Sequence, residues 1–314
     1  MNLWICIKKG KCEKKKESKM RNKIKTEHVR AYRGILGHML KAQKDIKESL
    51  KLIDIVVEVL DSRIPKSSRN YIIDEFSENK KKIIVLNKVD LSDMIETLKW
   101  KKNFEDLGVT VVLCDANNKD NIKKIIDSIR KVGENIEKFK NKSITVKPIY
   151  RVLIAGIPNV GKSTIINKIS NKTSANVGNK PGVTTKKQWI RVGTDIELLD
   201  TPGLLWPKLD DDNNTGVKLA LTGNIKQEIL DSEELAYQGL KILIENLRYQ
   251  KLIQEKYKLN DEEIKLETYE ILEIIGRKRG CIIKGNEVDF AKVSKLFLDE
   301  LKNGKIGKFS LDFV

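Results

Sequence analysis

Gly156-Ile157-Pro158-Asn159-Val160-Gly161-Lys162-Ser163 follows the β-branched run Tyr150-Arg151-Val152-Leu153-Ile154-Ala155 and leads into Thr164-Ile165-Ile166-Asn167-Lys168-Ile169. A strand, a G-x-x-x-x-G-K-S loop and a helix in that order are the signature of a phosphate-binding loop. The glycines let successive backbone N–H groups close around phosphate oxygens. The N-terminus of the following helix adds the positive end of its dipole. In such a loop Lys162 reaches the β- and γ-phosphates, the Ser163 hydroxyl holds Mg²⁺, and Asn159, Val160, Gly161 and Thr164 complete the cradle.

Upstream, three further apolar runs have the length of buried strands: Ile53–Leu60, Lys82–Leu86 and Val109–Leu113. Helical spacing near 93–106 and 120–132 alternates with them, and Ile196–Leu199 continues the series downstream. Repeated strand–helix units predict an α/β fold, a mostly parallel sheet with helices on both faces. Met39, Ile46, Leu50 and Ile53 predict an amphipathic helix over 39–52. Residues 133–147 are polar and read as a connector. From about 216 to 302 only helical periodicity appears: Leu235, Leu240, Leu243 and Leu247; then Ile264, Tyr269, Leu272 and Ile275; then Val293, Leu296, Phe297 and Leu301. This predicts a second, all-helical part.

Asn87-Lys88-Val89-Asp90 comes directly after a buried strand. Beside a phosphate loop, Asp90 can accept two hydrogen bonds from N1–H and the 2-amino group of guanine. Adenine has neither donor, and charge-assisted bonds contribute about 1.5–3 kcal/mol each, so guanine is favoured. Asn87 and the Lys88 stem would tie this loop to the phosphate loop and cover the base. Asp115-Ala116 follows the third strand, where the Ala116 N–H is placed for guanine O6 and Asp115 is expected to point away as a cap. Asp200-Thr201-Pro202-Gly203 ends a strand. There Asp200 would support Mg²⁺ through its water shell, and the Gly203 N–H would meet the γ-phosphate. Thr184, in Pro181-Gly182-Val183-Thr184, is the candidate Mg²⁺ ligand of a first switch. The ligands predicted are thus GTP and Mg²⁺.

Order is the informative departure. Ordinary G proteins place the phosphate loop before the Asn-Lys-x-Asp motif; here Asn87–Asp90 precede it. One sheet forms from either order when the cut falls in a surface loop. From about Gly37 to Val314 the chain resembles the circularly permuted YlqF/RbgA-type GTPases, which act late in assembly of the large ribosomal subunit. The resemblance rests on Leu60-Asp61-Ser62-Arg63-Ile64-Pro65-Lys66-Ser67-Ser68-Arg69-Asn70, Asn87–Asp90, Gly156–Thr164, Pro181–Thr185, Leu199-Asp200-Thr201-Pro202-Gly203-Leu204-Leu205-Trp206-Pro207 and the helical tail with Gly276-Arg277-Lys278-Arg279-Gly280-Cys281. It implies a circularly permuted P-loop GTPase domain at 26–207 and a C-terminal all-helical RNA-binding domain at 216–314. It also implies the large ribosomal subunit and its rRNA as partners, with release after GTP hydrolysis.

Many G proteins orient the attacking water with a Gln just after Asp-x-x-Gly. Here that residue is Leu204, which cannot do so, and slow hydrolysis without the ribosomal particle is expected. The resembling family supplies a histidine from an aromatic-Pro-Gly-His-Met motif. This chain has Ile35-Leu36-Gly37-His38-Met39, which makes His38 the catalytic candidate although the aromatic and the proline are missing. Resemblance to potassium-stimulated GTPases implies K⁺ at Asn159, offsetting charge that develops between the β- and γ-phosphates.

Lys plus Arg total 61 against 44 Asp plus Glu, a net charge of +17 that favours a polyanionic partner. Residues 1–25 read as a basic tail. Arg277, Lys278 and Arg279 are either phosphate contacts or a solvated helix end; Arg63 and Arg69 are read as structural in preference to RNA contacts. Cys6, Cys12, Cys114 and Cys281 show neither disulfide nor zinc spacing. The apolar start, Leu3–Ile7, is too short for a signal, and no run spans a bilayer, so no membrane partner and a cytoplasmic protein are expected. The rival readings are a GTP-gated RNA scaffold with vestigial hydrolysis and a GTPase serving tRNA modification.

Overall fold

The computed structural model describes residues 48–136, 148–170, 188–200, 214–225 and 231–314. All of these belong to one compact unit, Gln43–Val314. The expected tail at 1–25, His38 and most of the helix expected at 39–52 lie outside the described residues; of that helix, residues 48–50 are seen.

Six strands form one sheet in the order β3-β2-β1-β4-β6-β5. They are β1 (Ile55–Asp61), β2 (Lys81–Asn87), β3 (Thr110–Cys114), β4 (Tyr150–Ala155), β5 (Gln188–Val192) and β6 (Ile196–Asp200). All pairings are parallel except β5 with β6. Every residue of β1 is buried, as its β-branched run requires of a central strand covered on both faces. Sequence reading missed β5 because it alternates: Ile190 and Val192 turn inward, while Trp189 is 41% exposed on the sheet edge. The helices α1 (Tyr71–Phe76), α2 (Met94–Asp106), α3 (Lys119–Glu134) and α4 (Lys162–Ser170) connect the strands.

The chain runs outward through β1, β2 and β3, then crosses back to lay β4, β6 and β5 on the other side of β1. The reversal falls between β1 and β4, the topological switch point where ligand crevices open at the carboxyl ends of parallel strands. The register levels those ends: Asp61 pairs with Asn87, Asn87 with Cys114, and Ile154 with Asp200.

The helical part comprises α5 (Asn214–Leu221), α6 (Ser232–Ile244), α7 (Leu247–Tyr257), a 3₁₀ turn at Glu263–Lys265, α8 (Thr268–Lys278) and α9 (Phe290–Lys302). Asp231 caps α6 by accepting from Glu233 and Glu234 N–H, and Asn246 caps α7 through Arg248 N–H. That second cap breaks the helix that Leu247 was expected to continue, leaving Leu247 75% exposed. Tyr269, expected on the inner face, is exposed and stacks on Phe290. Leu235, Leu240, Val293, Phe297 and Leu301 join the same apolar core as Ile55, Val57 and Ile154, so no polar seam divides sheet from helices.

Candidate nucleotide site

The phosphate loop leaves β4 through Gly156, at φ 145°, where a Cβ would lie 2.4 Å from the Val59 carbonyl oxygen. Gly161, at φ 104°, faces Asn87, whose amide nitrogen would sit 2.2 Å from an added Cβ. Both positions therefore need glycine, for conformation and for space. α4 begins at Lys162, so its free N–H groups open onto the loop. The buried Lys162 Nζ donates to the Ile157 carbonyl at 2.7 Å, which holds the cation inside the cradle. Ser163, half-buried, follows in the first turn of α4.

Asn87 joins the loops. Its Nδ2 donates to the Val160 carbonyl at 2.7 Å, and its Oδ1 accepts the Ala116 N–H at 3.2 Å. The expected tie between the Asn-Lys-x-Asp loop and the phosphate loop is present. The Ala116 donor expected at guanine O6 is given instead to Asn87. Lys88 adopts φ 62° and sends Nζ to Asp61 Oδ2 at 2.9 Å, so its stem lies across the carboxyl ends of β2 and β1. Asp90 is exposed, and its carboxyl is raised above the ordinary value by partial burial and by the charge of Asp115. The Asp115 carboxylate accepts the Asn117 N–H at 2.8 Å in a local turn, while the cap of α3 is Asn118, which accepts from Asp120 N–H, so Asp115 is not the helix cap expected of it. Cys114 is an inert buried thiol, pushed up to about 12 by burial.

Three features rest on partners that the sequence does not announce. The fully buried Asp61 carboxylate accepts from Arg63 Nε at 3.0 Å, Arg63 Nη2 at 2.8 Å, Lys88 Nζ and Asn224 Nδ2 at 3.0 Å. Arg63 also donates to the carbonyls of Thr222 and Lys302, and its guanidinium lies over the Phe309 ring. Arg63 is thus structural, as is Arg69, which pairs with Asp74 beside Glu58. Thirdly, Asn159, at φ 58°, donates Nδ2 to the Gly223 carbonyl at 3.1 Å. The contacts of Asp61 with Asn224, of Arg63 with Thr222, Lys302 and Phe309, and of Asn159 with Gly223 span the GTPase and helical segments, which pattern reading along the chain does not link.

Arg277, Lys278 and Arg279 do not form a free cationic cluster. Arg277 pairs with Glu273, Lys278 with Glu263 and Arg279 with Glu300. Asp200 closes β6 level with Ile154 of the phosphate-loop strand. Thr184 and Gly203 lie outside the described residues.

The family described as 50S ribosome-binding GTPase matches residues 151–278, and the RsgA GTPase family matches residues 53–210. Ribosome biogenesis GTPase A of Priestia megaterium is 43% identical, over 88% of this chain and 94% of its own. Two solved structures, GDP-bound TM YlqF and GNP-bound YlqF from T. maritima, are each 30% identical to this chain. They superpose with TM-scores of 0.62 and 0.58, over 86% and 87% of this chain and 98% of each of theirs.

Proposed function

The chain belongs to the ribosome biogenesis GTPase A family, and from that premise we propose that it matures the large ribosomal subunit, binding rRNA in the GTP state and leaving after hydrolysis. The observation that carries the reading is Asn87 bonded to both Val160 and Ala116, which assembles one nucleotide site from motifs in permuted order.

Within that site Asp90 reads the guanine edge. The loop amides and Lys162 hold the phosphates. Mg²⁺, which keeps most of its shell as water and phosphate oxygen, needs few protein ligands; the Ser163 and Thr184 hydroxyls, supported by Asp200, suit it. K⁺ fits Asn159: because a carbonyl can only accept, the Gly223 contact fixes the amide with Nδ2 inward and leaves Oδ1 for a cation. The two ions neutralise charge on the transferring phosphoryl group. The Gly203 N–H meets the γ-phosphate, Leu204 leaves the attacking water unoriented, and His38 orients it. The GTPase segment, 26–207, hands the nucleotide state to an RNA-binding helical segment, 216–314. Since Arg277–Arg279 are ion-paired, the exposed Lys284, Lys292 and Lys295, which have no ion-pair partner among the described residues, supply the phosphate contacts. Such work places the protein in the cytoplasm. Among the described residues no helix is long and apolar enough to cross a membrane.

GTP turnover should be measured in K⁺ and in Na⁺, with and without large ribosomal subunits, for the wild type and His38→Ala. The expected result is a subunit-dependent rise in K⁺ that the variant loses. A rise that survives in the variant removes His38 from catalysis, equal rates in the two salts remove K⁺, and no rise with mature or immature subunits removes the partner.

A further inference from the structure

The segment after Asp90 is held from the helical part of the molecule. Leu91 and Asp93 exchange backbone hydrogen bonds with Phe309, whose N–H donates to Leu91 O and whose carbonyl accepts from Asp93 N–H, both at 3.3 Å. Two residues on, Leu311 N–H donates to the Arg63 carbonyl at 2.7 Å. Next, the Asp312 carboxylate, 2% exposed, accepts from Ser67 N–H, Ser67 Oγ and Lys218 Nζ. The Asp312 carbonyl accepts from Trp100 Nε1 on α2 at 3.1 Å. Residues 309–312 thus cross the turn after β1, the guanine-reading loop and α2 in one pass.

The Tyr249 hydroxyl couples the two sides. It accepts the Ser310 N–H at 3.2 Å and donates to Asp93 Oδ2 at 3.0 Å. Arg248, beside it, pairs with Asp93 and Glu96, both at 2.8 Å. Gly304 lies so close that an added Cβ would stand 2.7 Å from Leu91 Cδ2. Within the loop, Leu91 N–H donates to Lys88 O at 3.0 Å and Ser92 Oγ to Val89 O at 3.3 Å, and Val89 N–H reaches Cys114 O at 3.2 Å; beyond Asp90 the contacts from the helical part are those at Leu91 and Asp93.

We propose that Phe309–Asp312, keyed by Tyr249, is the positioning element of the guanine-reading loop, so that selectivity for a guanine base is set from the helical part of the molecule. The proposal rests on Asp90 as the guanine reader. Two hydrogen bonds from one base edge tolerate little displacement of their acceptor, and a misplacement of about 1 Å costs up to about a hundredfold. A loop freed at Leu91 and Asp93, beyond the Asn87 anchor, would keep the phosphates bound through the P-loop and lose discrimination at the base.

The test uses the full chain and two variants, Asp312→Ala and the conservative Tyr249→Phe, which keeps the ring and removes only the hydroxyl. Dissociation of a fluorescent GDP derivative is followed by stopped flow, with GDP, IDP and ADP as competitors. IDP keeps N1–H and lacks the 2-amino group, so the GDP-over-IDP ratio reports on the geometry of Asp90. Both variants should show a ratio several-fold smaller than wild type and faster GDP release, about tenfold for Asp312→Ala. ADP affinity should be unmoved. Folded variants, verified by thermal melting, that retain the wild-type ratio overturn the proposal. So does a uniform loss for GDP, IDP and ADP, which signals general loosening. A wild type that does not prefer GDP to IDP and ADP is a different failure: it overturns the Asp90 reading on which the proposal stands.

Discussion

Asp61 is where the phosphate side, the guanine side and the helical part meet. Burial alone would raise its carboxyl, but Arg63 and Lys88 together hold it well below the usual carboxylate range. Its contribution to stability is therefore present above the ordinary value of 3.8 and lost as pH falls through the lower, folded one. Asp61→Asn keeps the shape and leaves Arg63 and Lys88 without their counter-charge. Breaking one side of a buried pair costs about 3–5 kcal/mol, and urea unfolding at neutral pH should show that loss; a cost under about 1 kcal/mol would mean that Arg63 needs only its carbonyl partners. Asp90 allows a sharper test. An amide in its place presents a donor where guanine also presents donors, so Asp90→Asn should weaken GTP binding and favour the xanthine nucleotide, whose C2 carries a carbonyl oxygen. Competition between GTP and XTP for the variant measures this directly. The residues of these motifs were legible because phosphate and guanine chemistry is built within short spans such as Gly156–Ser163 and Asn87–Asp90. Asn224 was not, since what gives it a role is Asp61, and nothing near Asn224 in sequence announces that contact. Lys278 and Arg279 looked free for the same reason: their acidic partners Glu263 and Glu300 arrive from other elements, whereas the partner of Arg277, Glu273, lies one turn back on α8.

Among the elements, β1 shows what periodicity can and cannot tell. Its apolar run announced a buried strand, and those of β2, β3, β4 and β6 announced strands in the same way, β3 proving to be an edge of the sheet. β5, as short as β3 and β6, lacks their apolar run because polar Gln188 and Arg191 interrupt it, and the Asn246 break is a cap inside an otherwise continuous leucine pattern. Inside β1 sits Glu58, fully buried, accepting the Asn70 N–H at 3.0 Å with Arg69 3.9 Å away. Burial raises its carboxyl above 4.5, and Arg69 offsets only part of the effect. The sign is opposite to that of Asp61. The folded state holds this proton more tightly than the unfolded chain, so stability falls as pH rises from 4.5 through the folded value. Glu58→Gln retains an acceptor for Asn70 and removes the titration. Melting temperatures followed from pH 4.5 upward should therefore decline more for the wild type than for the variant. Parallel curves would show that Arg69 fully compensates the buried charge.

At the scale of the whole molecule, the sequence announces two parts and the structure joins them through one apolar core and through Arg63, Asn159, Asn224 and Asp312. The break in periodicity after Pro207 is real, but a change of secondary-structure type is not a change of core. Two readouts follow from joint folding. Phe297→Ala, at a fully buried position of α9, opens a cavity worth about 3–5 kcal/mol, and the loss should appear in the unfolding of the sheet as well as of the helices, in one transition. The stricter readout uses the nucleotide. A ligand that binds only the folded state stabilises it by RT ln(1 + [L]/Kd), about 2.7 kcal/mol at a hundred times Kd. Amides of α6 and α9 that exchange only through global opening should then slow about a hundredfold when GDP is added at that excess, although neither helix carries a residue of the phosphate or guanine motifs. If the helices opened on their own, their exchange would be indifferent to GDP while that of β1 and β4 slowed. Hydrogen exchange resolved by segment separates the two cases. Slowing on both sides of the 207–216 boundary would mean that a ribosomal partner gripping the helices also grips the nucleotide site.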